Sequence, residues 1–156
     1  MFVSLVSHVE PYSPPQKPIP PDALITLTRS ECFGKCPDYT VSVTADGTVT
    51  FEGRKFVKTK GVAKDSVSLD AVRQLIAAFE DAGFFSLRDS YPSDEDKCSY
   101  WTDHPSVRIS LRLNGKTKSI YHYHGCVDEA RRTYPAGLTE LEDRIDEVLG
   151  TQGWIY

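Results

Sequence analysis

The sequence predicts an α+β domain: an antiparallel sheet of two hairpins plus short strands, with two helices packed on one face. Three observations predict it. Cys32 to Gly53, CFGKCPDYTVSVTADGTVTFEG, alternates apolar and polar residues on both sides of Ala45-Asp46-Gly47, the period of a half-buried hairpin. A second alternating pair flanks Leu113-Asn114-Gly115. Two stretches, starting at Leu69 and at Leu138, carry apolar residues at spacings of three, four and three, the stripe of an amphipathic helix.

Residues 10–21, EPYSPPQKPIPP, hold six prolines and favour extended polyproline geometry. Residues 1–22 are therefore read as a Pro-rich lead, a tether or spacer, and residues 23–156 as one domain. Leu24 to Thr28 is a short strand. In the first hairpin a three-residue loop with Gly47 left-handed pairs Val43 with Val49 and Val41 with Phe51, which puts all four on one face. Residues 54–67 read as an extended connection. Ser68 is a suitable N-cap for the helix carrying Leu69, Val72, Ile76 and Phe79, and Gly83 a suitable stop. Phe84 and Phe85 are expected to re-enter the core. After a polar connection over 88–106, Val107, Ile109, Leu111 and Leu113 form a strand, and Lys116 to His124 its return. The last helix carries Leu138, Leu141, Ile145 and Val148 and ends at Gly150. The stripes are offset by 69 residues throughout, and aromatics trail both helices, so a degenerate duplication with halves 23–87 and 88–156 is expected.

Bulk properties narrow the function. With 156 residues, 26% charged, the chain has the composition of an ordinary soluble domain. A net charge of −4 without a basic stripe argues against a nucleic-acid binder, and no apolar run is long enough to span a bilayer. The N-terminal MFVSLVSHVE lacks a basic start, and Ser4, Ser7 and His8 interrupt it, so it does not read as a secretory signal. The expectation is either a cytoplasmic protein or one whose export signal lies outside this stretch.

Four cysteines allow three pairings. Cys32 and Cys36, spaced C-x-x-x-C before Pro37, suit a small disulfide loop that pins a turn. A metal half-site and a redox pair are the competing readings, which more often use C-x-x-C. Cys98 and Cys126 flank the second hairpin, at ends that antiparallel pairing brings together, so they form the second disulfide candidate.

His122, His124 and Cys126 alternate along one strand and share a face, and His104, at the opposite end of the partner strand, is expected to approach them. Three imidazoles and a thiolate suit tetrahedral zinc or copper. If the second turn copies the first, Val107 pairs near Tyr121 on the core face and the histidines lie on the other, solvated face. Tyr121, Tyr123, Tyr100 and Trp101 are expected at the core or its edge, with a peptide or ligand groove as the functional alternative. Asp103 before His104-Pro105 is expected to cap a turn. Neither a Gly-rich phosphate loop nor a nucleophile elbow is found, which makes an enzyme the less favoured class.

At ECFGKCPDYTVSVTADGTVTFEG the chain resembles a bacterial family of unknown function whose members open with a strand, a C-F-G-x-C-P-x-Y turn and a D-G hairpin. The TDHP, GKTKSIYHYHG and LTELEDRID segments resemble it too, and the likeness covers roughly residues 23–155. The resemblance implies an exported or lipid-anchored setting, sometimes beside ankyrin repeats, and carries no activity and hence no catalytic residue. The reading is a disulfide-stapled binding or scaffolding module of the bacterial envelope, without a cofactor. Its partner is unspecified, a protein or peptide at most. Its surface candidates are Phe33, Lys35, Tyr100, Trp101 and Asp103. The alternatives are a zinc or copper protein using His104, His122, His124 and Cys126, and a thiol-redox protein using Cys32 and Cys36.

Overall fold

Turn length decides where each strand's side chains point. In the computed structural model, which describes residues 11–156, the first hairpin joins β2 (Asp38–Thr44) to β3 (Thr48–Lys55) through Ala45-Asp46-Gly47. Val43 faces Val49 and Val41 faces Phe51, as the three-residue loop requires. The second hairpin joins β7 (Ser106–Leu113) to β8 (Lys116–Tyr123) through two residues. Asn114 and Gly115 both have positive φ, 53° and 76°, the geometry of a type I′ turn. The Asp22 carboxylate accepts from both of their backbone N–H groups, at 3.0 and 2.8 Å. Those bonds, led by that from Gly115, hold its carboxyl below the usual carboxylate range.

The shorter loop pairs Leu113 with Lys116 and Val107 with His122, not with Tyr121. A one-residue slip exchanges the two faces of a strand. Ile120 and His122 therefore point into the core, and Tyr121 and Tyr123 outward. The histidines do not lie on the solvated face as expected, because the second turn has two residues and does not copy the three-residue first turn.

The full sheet has seven strands in the order β4-β3-β2-β1-β7-β8-β5, where β1 is Leu24–Arg29, β4 is Gly61–Ser66 and β5 is Ser90–Tyr91. All neighbours are antiparallel except β5 and β8. β4 falls within the stretch expected to be an extended connection; its side chains are largely exposed and carry no apolar alternation. A separate ladder pairs β6 (Ser99–Tyr100) with β9 (Cys126–Val127). Helix α1 (Leu69–Asp81) starts on Ser68, whose hydroxyl accepts from Ala71 N–H at 3.1 Å. It buries Val72, Leu75, Ile76 and Phe79 and leaves Leu69 exposed. Phe84 enters the core and Phe85 does not. Helix α2 (Ala136–Leu149) ends at left-handed Gly150 and is followed by one more turn, α3 (Gln152–Ile155). Val148 is only partly buried; Leu149, Glu142 and Asp146 take inward positions beside Leu138, Leu141 and Ile145.

The core lies between the two helices and the sheet face that carries Ile25, Leu27, Val41, Val43, Phe51, Ile109 and Leu111. Seen from that face, β3 lies on one side of β2 and β8 on the opposite side of β7. Yet β2 and β7 run in the same direction, both antiparallel to β1, and bury the same face. No rotation superposes two hairpins of opposite turn, so the expected half-repeat is not expressed as a symmetry of the sheet. The Pro-rich lead follows α1: Arg73 donates to the Lys17 carbonyl at 3.0 Å, and Ile19 packs against the core. The start of the chain, including the stretch tested as a signal, lies outside the described residues. Among the described residues no helix is long and apolar enough to cross a membrane.

Candidate functional site

Among the described residues, the buried charged and polar side chains, His122, Glu142, Asp146 and Thr151, gather at one end of the sheet. Tyr39, Arg29, Val107, His122 and Tyr91 form a single transverse row across β2, β1, β7, β8 and β5. Over that row α2 turns two carboxylates, Glu142 and Asp146, toward the sheet. They are four residues apart and so share one helix face.

Glu142 is fully buried between two imidazoles: Oε1 contacts His122 Nδ1 at 2.5 Å and Oε2 contacts His124 Nε2 at 2.7 Å. His122, also without exposure, has its Nε2 2.9 Å from the Tyr134 carbonyl oxygen. A carbonyl only accepts, so Nε2 carries a hydrogen and donates. Each contact with the carboxylate also needs something positive between nitrogen and oxygen. Burial alone would raise the Glu142 carboxyl; the hydrogen bonds from His122 and His124 outweigh it and hold the group below the usual carboxylate range.

Asp146 binds the other half of the row. Tyr39 Oη donates to Oδ1 at 2.6 Å, Thr151 Oγ1 to the same oxygen at 2.8 Å, and Arg29 Nε to Oδ2 at 2.8 Å. Arg29 also reaches Asp143 at 3.2 Å. Burial disfavours the Arg29 charge, but the Asp146 carboxylate more than offsets this and raises its pKa. Burial and the same carboxylate both push the Tyr39 phenol up. The two carboxylates thus act as polar bolts between helix and sheet.

Both disulfides sit at this end. Cys32 bonds Cys36 and Cys98 bonds Cys126, each with Cα atoms 5.5 Å apart, inside the ordinary range. No cysteine is left free, so Cys126 offers no thiolate to a metal. His104 also lies apart from the cluster: it is exposed, and its backbone N–H donates to Tyr123 Oη at 3.3 Å. The four-residue metal set read from the sequence is therefore not assembled. The structure assembles His122, His124 and Glu142 instead, with donor atoms within 4.8 Å of one another.

The surface candidates do come together. The Phe33 N–H in the first disulfide loop donates to the Asp103 carbonyl at 3.2 Å, and so joins that loop to the one before β7. Trp101 N–H donates to the Gly125 carbonyl at 2.6 Å, and Tyr123 Oη to the Trp101 carbonyl at 2.7 Å. Gly125 has no substitute there: a Cβ would run into the Trp101 carbonyl and the Tyr123 ring. Tyr100 pairs with Cys126 across β6 and β9, and its ring stacks on Tyr123 at 5.3 Å. So anchored, Phe33, Tyr100 and Trp101 remain 88%, 66% and 58% exposed. Phe56, between β3 and β4 at the same end, is also exposed. Lys35 is exposed in the first disulfide loop. Asp103 occupies the left-handed region at φ 65°, and its carboxylate accepts from Thr102 Oγ1. A cleft of about 540 Å³ opens beside Trp101 and His104, with Asp128, Glu129 and Arg131 on its rim.

Fold and site thus define a class: a disulfide-tied α+β domain with a buried His–Glu–His cluster beneath an aromatic end. The chain belongs to the family described as a domain of unknown function, DUF6438, which it matches over residues 23–149. That span includes both disulfides, the cluster and the exposed aromatics. A search of curated proteins finds no match.

Proposed function

We propose that the domain is a non-enzymatic binding module whose working surface is its disulfide-tied end, and that it serves in the bacterial envelope. The observation that carries the reading is the exposure of Phe33, Tyr100 and Trp101 on two loops, each closed by its own disulfide and hydrogen-bonded to the other. Covering one such side chain is worth about 1.5–3 kcal/mol. Loops already held in place lose little further entropy on binding, so more of that gain appears as affinity. Trp and Tyr are enriched among the hot spots of protein interfaces. Lys35 and the acidic and basic rim at Asp128, Glu129 and Arg131 would give the contact its polar register. The partner is a protein or peptide with an apolar, aromatic-accepting pocket. The envelope assignment is supported by two disulfides in one small domain, which persist in oxidising compartments.

Photo-crosslinking in the native host tests the surface. A photoreactive residue at Phe33 or Trp101 is expected to trap one defined partner, and the same residue at Asp46, at the opposite end of the sheet, is not. Equal trapping from all three positions, or none, would defeat the reading. Alkylation without reduction tests the location: four labelled thiols in protein from its own cells would remove the envelope assignment.

A further inference from the structure

We propose that His122, His124 and Glu142 bind a divalent zinc ion through Nδ1, Nε2 and the carboxylate. The donor set is two imidazoles and one carboxylate, whose donor atoms already lie within 4.8 Å of one another. Nitrogen donors of this kind select zinc or copper over magnesium and calcium. Two ligands come from alternate positions along one strand and its extension, and the third from α2, so sheet and helix hold the set in place.

The surroundings of His122 carry the inference. A histidine that ligates a metal typically donates its other ring N–H to a carbonyl or carboxylate, which fixes the tautomer and the ring plane. His122 Nε2 makes that bond with the Tyr134 carbonyl at 2.9 Å. In its neutral form the ring then aims the Nδ1 lone pair at the carboxylate, acceptor against acceptor. Without a metal, a hydrogen must sit in each of the two nitrogen–carboxylate contacts, and His122 and Glu142 hold theirs with no exposure to solvent. A divalent ion satisfies all three lone-pair donors at once.

Space and access are compatible with this. Tetrahedral ligands at 2.0–2.1 Å from zinc lie roughly 3.3 Å apart. The two nitrogen–oxygen contacts are now 2.5 and 2.7 Å, so they must open slightly. His124 follows β8, and its side chain is 15% exposed, so it can give way and admit the ion. The fourth position falls to water or a partner's side chain. Arg29 adds no uncompensated positive charge, because Asp146 and Asp143 already bind it. Binding displaces the bridging protons, so affinity rises with pH.

The test is calorimetric titration of the chelator-treated full chain with zinc chloride at two pH values. One zinc per chain is expected, bound more tightly at the higher pH. His124→Asn and Glu142→Gln should each weaken binding by roughly tenfold or more, and His104→Ala should leave it unchanged. X-ray absorption of the zinc-loaded wild type provides a reading that needs no variant to fold: imidazole and oxygen scattering is expected. No binding, binding indifferent to His124→Asn, loss of binding in His104→Ala, or sulfur at the metal would each overturn the site.

Discussion

Replacing Asp146 by alanine removes the acceptor for three side chains at once. Tyr39 Oη, Thr151 Oγ1 and Arg29 Nε lose bonds of 2.6, 2.8 and 2.8 Å. Tyr39 is almost wholly buried, so its hydroxyl is left without a partner. An unsatisfied buried polar group costs about 1–3 kcal/mol, and breaking a fully buried ion pair costs about 3–5 kcal/mol. Here Arg29 and Asp146 retain 19% and 12% exposure, and Asp143 remains as a second partner for Arg29. Those two facts discount the ionic part, and the expected loss is about 3 kcal/mol. Urea denaturation followed by circular dichroism measures it. With a slope of about 2 kcal/mol per molar, the midpoint should fall by about 1.5 M with the slope unchanged. Asp143→Ala, which removes a 69% exposed carboxylate, should cost less than about 1 kcal/mol. A loss below about 1 kcal/mol for Asp146→Ala, or equal losses for both variants, would refute the description of Asp146 as a bolt between helix and sheet.

Four further outcomes follow from other parts of the molecule. The Glu142 pKa is depressed in the fold, so the unfolded chain takes up its proton first as pH falls. Its stabilisation is complete above the unfolded value of about 4.3 and is lost as pH drops through the folded value. In metal-free protein, Glu142→Gln should therefore flatten the fall of melting temperature below about pH 4.5. The Cys98–Cys126 bridge closes 28 residues and Cys32–Cys36 closes 4. Loop entropy then predicts losses of about 3.6 and 1.9 kcal/mol for the respective double serine variants, read by chemical denaturation, and a reversed order would contradict it. Gly115 sits at φ 76° in the type I′ turn, so Gly115→Val should cost about 1–2 kcal/mol. Gly137, helical with open space around it, should gain up to about 1 kcal/mol as alanine in the same melts.

Much of the fold could be read in the residues, because local and tertiary preferences agree there. The first hairpin's register, the Ser68 cap, both helices and both disulfide pairings required only turn chemistry, periodicity and the adjacency of hairpin ends. The site was harder to read, for two reasons. Leu113-Asn114-Gly115 resembles the first turn, but Leu113 belongs to the strand. That one residue moves His122 from the outer face to the core. Glu142 and Asp146 share the inner face of α2 with its apolar stripe, but apolar periodicity alone does not mark an acidic residue as inward-facing. Their spacing of four, next to Leu141 and Ile145 and opposite inward-facing His122 and Arg29, was the available signal. Exposure among the aromatics had no such signal. Tyr100 and Trp101 read no differently from Tyr121 and Tyr123, and only the ladder between β6 and β9 separates them.

The central claim is that the aromatic end is a working surface. Its most direct test is the affinity of the cross-linked partner for single alanine variants at Phe33 and Trp101, measured with the disulfides intact. Each should weaken binding by at least about 2 kcal/mol, as interface anchors do, while the melting temperature stays unchanged. Full affinity in both variants would contradict the account.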